Sequence, residues 1–591
     1  MHLFRYAVIS LLIPVFSGSL CRGEDAFDYA KAREFWSLKT PQPQDAPVVR
    51  AQKRVRNAID PFILSRLEKA ELEMNPEADS RTLLRRLSYD LTGLPPEWER
   101  LAGYSFEEQV DILLDSPHFG ERWARLWLDV SRYAEDQAHI VGNNTALTYP
   151  NAYRFRDWVI AAFNEDLPYD QFVRQQLAAD LLDPQDASMQ AALGFMGLGP
   201  KYYRRNDLAV QADEWEDRVD TLTRGVLGLT VSCARCHDHF YDPIPTSDYY
   251  ALAGVFASTE MFNRPIDGDC ETNDNGQAKK AEEAIHLVRE AKQVKDVPVF
   301  HRGDVTSPGE PVARGFLTVL GNGERATFSG KDSGRLELAE EIVDTQNPLT
   351  ARVWVNRVWG EIFGTPLVRT TSNFGKLGEK PTHPALLDDL SHRFMNEGGW
   401  SLKWLVREMV QSATYRQSSD LVATKEEVDP GNELLWRMNR RRLPVEMWRD
   451  SLLVAGGNLD RKVGGASFEA SDPKANRRTV YARVSRLQLD PMLALFDFPD
   501  PNLHSPGRSE TTTPIQKLFV MNHPLPVAAA KKLSEKMAGD PEQSIEIAYR
   551  QLFGREPLAE EKELGLRYLE NHDPADYAQA LLVSNEFSWL D

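Results

Sequence analysis

Sulfur and basic charge are both scarce in this 591-residue chain. Its 4 Cys are too few for a disulfide-stapled scaffold, so any role they have must come from their spacing. The 69 Lys and Arg are outnumbered by 88 Asp and Glu, which leaves a formal net charge of −19. A nucleic-acid-binding surface carries the opposite sign, so no nucleic acid is expected as a partner. Long apolar runs are missing as well. Beyond the opening residues no segment approaches the roughly 18 unbroken apolar residues of a membrane-spanning helix. Gly and Pro, 36 of each, are scattered rather than clustered, and 42% apolar with 27% charged residues is an ordinary globular composition. Wholesale disorder and collagen-like structure are excluded. The length suffices for roughly two to four domains with real cores.

Residues 1–23 read as a secretory signal peptide. Arg5 precedes an apolar stretch over residues 6–16 broken by Pro14, and the small residues Ser17, Gly18, Ser19 and Gly23 come before the acidic Glu24 and Asp25. The stretch is too short to span a bilayer. A lipid anchor on Cys21 is the weaker alternative, because Leu20 stands where a small residue is expected. The mature chain is expected to be exported, periplasmic or associated with the cell envelope. After leader cleavage it has no transmembrane segment, and it sits in a compartment that permits oxidised sulfur.

From Asp60 onward the periodicity is mostly helical. Asp60 before Pro61 is a helix start, and a second helix runs from Asp79 or Ser80 to Gly93. Ser105 with Glu108 forms a capping box. Amphipathic runs cover residues 121–133, 152–164, 169–182 and 213–229. Around residues 266–332 the character changes to a charged stretch followed by short β-like pieces at 297–301 and 316–320. Helical periodicity returns at 336–343, 348–362, 384–395, 402–413, 445–453 and 545–552. The expected fold is mainly α: a helical domain over 24–265 and a second over 333–591, joined by an irregular, partly β segment.

The sharpest chemical signal is Cys233-Ala234-Arg235-Cys236-His237. Two thiols three positions apart can each add to a vinyl group of one haem, with the adjacent His beneath the iron; this is the attachment rule for haem c. An exported chain is where such attachment takes place. Two alternatives stay open: a zinc half-site completed by His239 and Cys270, and a dithiol pair, although the helical context lacks the βαβ setting of a redox CxxC.

The runs Asp60-Pro61-Phe62-Ile63, Leu91 to Pro96, Trp127 to Ala134, Tyr153 to Val159 and Cys233 to Pro243 resemble the planctomycete cytochrome C-associated domain of unknown function. Ser333 to Ala339, Asn347 to Arg357, Phe374-Gly375 and Ser584 to Phe587 are similar to the planctomycete-specific C-terminal domain that follows it. The Cys motif itself carries the expectation of one covalent haem on Cys233, Cys236 and His237; the resemblance adds little, since both domains are named for their sequence and not for an established activity. Relatives commonly carry His at the position of Leu126. If that His is an axial ligand in them, this chain needs another, and Met261, Met196, His139 and His118 are the candidates.

Weaker constellations complete the reading. Arg132, Tyr133 and Asp136, with Asp129, Glu135, Arg154, Arg156 and Asp157, form either a substrate pocket, in which Tyr133 or Asp136 accepts a proton, or a buried ion-pair network. His383 is a candidate acid–base residue or a buried helix-start His. Arg441 and Arg442, in the compact basic run from Arg437, are candidates to clamp haem propionates or an acidic sugar. The 13 Trp are spaced like core residues. Two functions follow: a haem c oxidoreductase acting on an organic, carbohydrate-derived small molecule, or a non-catalytic electron-transfer or envelope scaffold protein. In the second case the acidic surface would dock a basic redox partner protein.

Overall fold

A computed structural model describes residues 27–138, 147–202, 206–321, 323–328, 330–537 and 539–591; the leader and His139 lie outside them. The chain is mainly α. Its N-terminal half carries α1 (Asp60–Lys69), α2 (Ser80–Thr92), α3 (Phe106–Leu114), α4 (His118–Val130), α5 (Tyr153–Asn164), α6 (Tyr169–Leu182), α7 (Leu208–Leu222) and α8 (Thr246–Ala257). The capping signals in the sequence are realised. Asp79 accepts from the Arg81 and Thr82 amides at 3.0 and 3.1 Å, and Gly93 closes α2 at φ +67°, a conformation that suits glycine. Ser105 and Glu108 exchange both bonds of the capping box on α3.

Asp60 departs from the expected cap. It is the first residue of α1, and its buried carboxylate serves other segments. It accepts from the Arg56 and Asn57 amides at 2.9 and 3.3 Å. It also accepts from Ala413 N at 3.0 Å, Thr414 N at 3.0 Å and Thr414 Oγ1 at 2.8 Å, capping a helical turn (Ala413–Arg416) more than 350 positions away.

The middle segment holds two small antiparallel sheets. β1 (Thr259–Pro265) pairs with β2 (Ala284–Glu290), and β3 (Val297–Phe300) pairs with β4 (Pro308–Val312). The β-like piece at 316–320 forms turns instead. Asp248 captures the Thr318 amide and hydroxyl at 2.8 and 2.7 Å, which leaves that N–H unavailable to a ladder.

Beyond the middle segment come α9 (Arg335–Val343), α10 (Thr350–Phe363), α11 (Pro384–Asn396), α12 (Leu402–Val410) and α13 (Val445–Ala455). Five more follow: α14 (Pro514–Asn522), α15 (Pro524–Lys536), α16 (Pro541–Phe553), α17 (Ala559–Leu569) and α18 (Pro574–Val583). Packing does not follow the sequence boundary at 333. Trp127 on α4 meets Trp354 on α10 edge-on at 5.8 Å, and Tyr169 on α6 stacks on Trp354 at 4.4 Å. Helices from both sides of the middle segment therefore share one interior, which runs from Leu38 to Met438 and adds Val480, Tyr481 and Val484. A second core takes Tyr89 from α2 and, from Leu443 on, gathers α13 to α18 around Trp448, Leu452 and Leu533. Residues 333–591 thus contribute to both cores, because periodicity identifies helices without identifying their neighbours. Among the described residues no helix is long and apolar enough to cross a membrane.

Candidate functional site

After α7 the chain makes a wide turn (Thr223–Leu227) and then one 3₁₀ turn (Val231–Arg235) that carries the Cys motif. Side chains three apart on such a turn eclipse, which sets Cys233 and Cys236 on one side. Both thiols are exposed and unbonded. Arg235 between them is pinned to Asp213 on α7 at 2.9 Å and to Glu216, while the Tyr250 hydroxyl donates to its carbonyl at 2.9 Å. The hairpin connection of β3 and β4 abuts the motif: a Cβ on Gly303 would lie 2.7 Å from the Cys236 sulfur.

His237 is exposed, and its Nδ1 lies 2.7 Å from the Asp238 carbonyl. A carbonyl only accepts, so Nδ1 carries the proton and the Nε2 lone pair stays available to a metal. Phe240 packs on the His237 ring at 4.1 Å and is 79% exposed, with Tyr241 51% exposed beside it. These residues fit haem c: two thiols on one face, an imidazole with a free nitrogen, and uncovered aromatic surface next to them.

His239 has the opposite environment. It is buried, and Nδ1 accepts from the Asp242 and Tyr241 amides at 2.9 and 3.3 Å, so Nε2–H donates to Thr230 Oγ1 at 3.0 Å. Both nitrogens are spent within the chain, and the Cys270 thiol donates to Asp267 at 3.1 Å. That leaves the zinc alternative without its ligands. Among the described residues no group of three or more His, Cys, Asp or Glu is placed to hold a metal ion.

A second feature lies between the two cores. A cavity of about 240 Å³ opens where α2, α4, α10 and α13 converge, walled by seven arginines and seven carboxylic acids among apolar residues and glycines. Glu121, Arg122, Arg125, Leu126 and Asp129 all come from one face of α4. Arg508 bridges Asp129, at 2.7 Å, to both oxygens of Glu446, at 2.7 and 2.8 Å. Arg441 holds both oxygens of Asp90 at 2.7 and 2.9 Å. Arg478 sits between Glu121 at 2.5 Å and Asp450 at 3.0 Å.

Burial alone would raise the Glu446 carboxyl, but the Arg508 guanidinium on both its oxygens, with Arg125 behind, holds it down to about 2. A folded value below the ordinary 4.5 means stabilisation that is complete above pH 4.5 and is lost as the pH falls toward 2. It is on the order of 3 kcal/mol. The unfolding midpoint is therefore expected to fall more steeply over that interval in the wild-type chain than in Glu446→Gln, as followed by circular dichroism.

One loop joins cavity and Cys motif. Thr371 borders the cavity. Phe374 donates its amide to Gly228 O at 2.7 Å, and Lys376 donates its amide to Asp242 at 2.8 Å. A Cβ on Gly375 would lie 2.2 Å from the Asp242 carboxylate, so this approach requires glycine. From Thr371 to Lys376 the chain spans at most about 18 Å.

The expected site residues divide between these places. Cys233, Cys236 and His237 come together. Arg441 and Arg442 do not reach them: Arg441 is committed to Asp90, and Arg442 donates to Gln516 at 3.1 Å and faces Phe496, so both line the interdomain cavity. Met261 lies with its sulfur 4.0 Å from Arg218, two positions beyond Glu216 on α7 and roughly 200° around the helix, away from Arg235. His118 is bound to Glu121 at 2.6 Å, and Met196 is buried in the main core. Leu126 borders the cavity.

The proposed catalytic set is dispersed within packed structure. Arg132 clasps Asp217 at 2.8 and 2.6 Å. Asp136 accepts from the Ser485 hydroxyl and, at 2.7 Å, from the Arg486 amide. Tyr133 donates to Glu135 at 3.1 Å, and burial, then Glu135, pushes its phenol well up. None of the three lines the interdomain cavity; Arg154 and Asp157, from the same constellation, line a separate cavity instead. His383 is buried against Thr382 at 3.0 Å, and burial with Arg66 nearby pushes it down to about 3, so it stays neutral. Arg357, Arg508, Glu446 and Asp450 were not foreseen; the available signal was charge set within apolar helix sequence, as in Val353-Trp354-Val355-Asn356-Arg357-Val358-Trp359.

Residues 58–261 match the family described as PSCyt2, a protein of unknown function (DUF1549). Residues 334–569 match PSD1, also a protein of unknown function (DUF1553). No curated protein and no solved structure matches the chain. With the first domain preceding the second in one polypeptide, the chain belongs to the planctomycete cytochrome C-associated family.

Proposed function

We propose that this chain is an exported haem c protein that works as an oxidoreductase, exchanging electrons with an organic, carbohydrate-derived substrate held in the interdomain cavity. The observation that carries the reading is the pair of exposed thiols on one turn beside a His whose Nδ1 proton is already engaged. A haem bound there supplies one-electron acceptance and release. The chain's own contributions are distinct: Asp238 fixes the His237 tautomer, Arg235 anchors the turn to α7, and Phe240 with Tyr241 offers apolar cover. The cavity supports a catalytic role because it is charged and enclosed by both cores, and because the loop from Thr371 to Lys376 links it to the motif. The net charge of −19 supports docking of a basic redox partner.

The test is to produce the full chain with its leader in a host that attaches haem covalently. A denaturing-gel haem stain and a reduced c-type spectrum are expected, with reduction of an artificial acceptor when substrate sugars or their acids are added. A folded protein that never stains overturns the haem assignment. A stained protein that turns over no such substrate overturns the enzyme assignment and leaves an electron carrier.

A further inference from the structure

We propose that the interdomain cavity binds an organic anion, and that Arg357 is the group that recognises its carboxylate or similar oxyanion. The inference rests on the reading of this cavity as a substrate site and names the class of substrate. Six of the seven arginines in the wall have a carboxylate within 4.0 Å. Arg357 has none among the described residues. It is 4% exposed, and its guanidinium donates only to neutral oxygens: Arg224 O at 3.1 Å, Ser372 Oγ at 3.1 Å and Pro506 O at 3.4 Å. Its Nε has no partner.

A buried charge without a counter-charge is costly, and the cost is recovered when a ligand brings one. Arg449 and Arg486 are also capped mainly by carbonyls, but neither borders the cavity. Burial lowers the Arg357 guanidinium to about 10, so it remains charged at neutral pH.

The side chain is also held in place. His504 donates Nδ1–H to the Val130 carbonyl at 2.9 Å, and its Nε2 accepts the Ser372 hydroxyl proton at 2.6 Å. Ser372 is left with lone pairs that accept from Arg357, so Ser372 and His504 are positioning residues for the guanidinium. The volume, about 240 Å³, equals that of roughly eight liquid waters, which fits a molecule the size of one sugar acid rather than a bare inorganic ion.

Titration calorimetry on the full chain tests this with glucuronate, glucose and inorganic sulfate. Glucuronate is expected to bind about 10- to 100-fold more tightly than glucose, and to lose that margin in Arg357→Met while Arg357→Lys keeps part of it. Ser372→Ala is expected to weaken glucuronate and leave glucose unchanged. The comparison of glucuronate with glucose on the wild-type chain needs no variant, so it decides the matter even if Arg357→Met fails to fold. Equal binding of the two sugars, or no binding of either, overturns the proposal; Arg357-dependent binding of sulfate alone overturns the organic part of it. Repeating the titration on Cys233→Ala/Cys236→Ala separates the two readings, because anion binding is expected to persist there even where haem is absent.

Discussion

Replacing Cys233 and Cys236 together by Ala is expected to abolish the haem stain completely while leaving the unfolding transition of haem-free protein within about 0.5 kcal/mol of wild type. The two halves of that result have separate causes. Covalent attachment needs the sulfurs themselves, and a single variant retains one thioether and a weaker stain. Stability is little moved because both thiols are exposed and make no bond within the chain, and only the Cys236 sulfur rests against the Gly303 loop. His237→Ala should keep the stain and change the spectrum, since its imidazole is exposed beside Asp238 and Phe240. A stain that survives the double substitution would place haem elsewhere in the chain.

Asp60→Ala is expected to be the most destabilising single substitution of those considered, by about 3–5 kcal/mol in urea unfolding. Five donors converge on this carboxylate, four of them backbone amides, and Ala leaves the buried ones without partners. The bonds are not additive, which is why the figure lies well below five times the cost of one. Asp60→Asn keeps one oxygen and should lose less. Hydrogen exchange should rise first at Ala413 and Thr414, the amides that Asp60 caps from across the core.

The capping chemistry of the N-terminal half was legible because it is local. Asp79, Ser105, Glu108 and Gly93 act within four residues of themselves, and each does what its position predicts. β1 and β2 were not legible: Thr259 follows the apolar helix α8 almost directly, and the partner Ala284–Glu290 lies beyond a charged stretch that reads as linker. Three of the last five helices were hidden for a related reason. Pro514, Pro524 and Pro574 look like breaks, yet each occupies the first turn of a helix, where its missing N–H costs nothing. The Cys motif was legible as chemistry because its three residues are adjacent. The cavity was not, because its ion pairs join distant parts of the chain: Arg441 to Asp90, Arg508 to Asp129, Arg478 to Glu121. The run from Arg437 to Arg442 announced basic charge without announcing which acids would meet it.

The cavity wall is drawn from both cores, with α4 and α10 on one side and α13 on the other. Whatever fills it is therefore also a fastener between two packing units that a single chain crosses only a few times. By mass action, a ligand present at a hundred times its dissociation constant adds about 2.7 kcal/mol to the folded state. Supply of that molecule would then set how long each copy survives heat and proteases, as well as how fast it works.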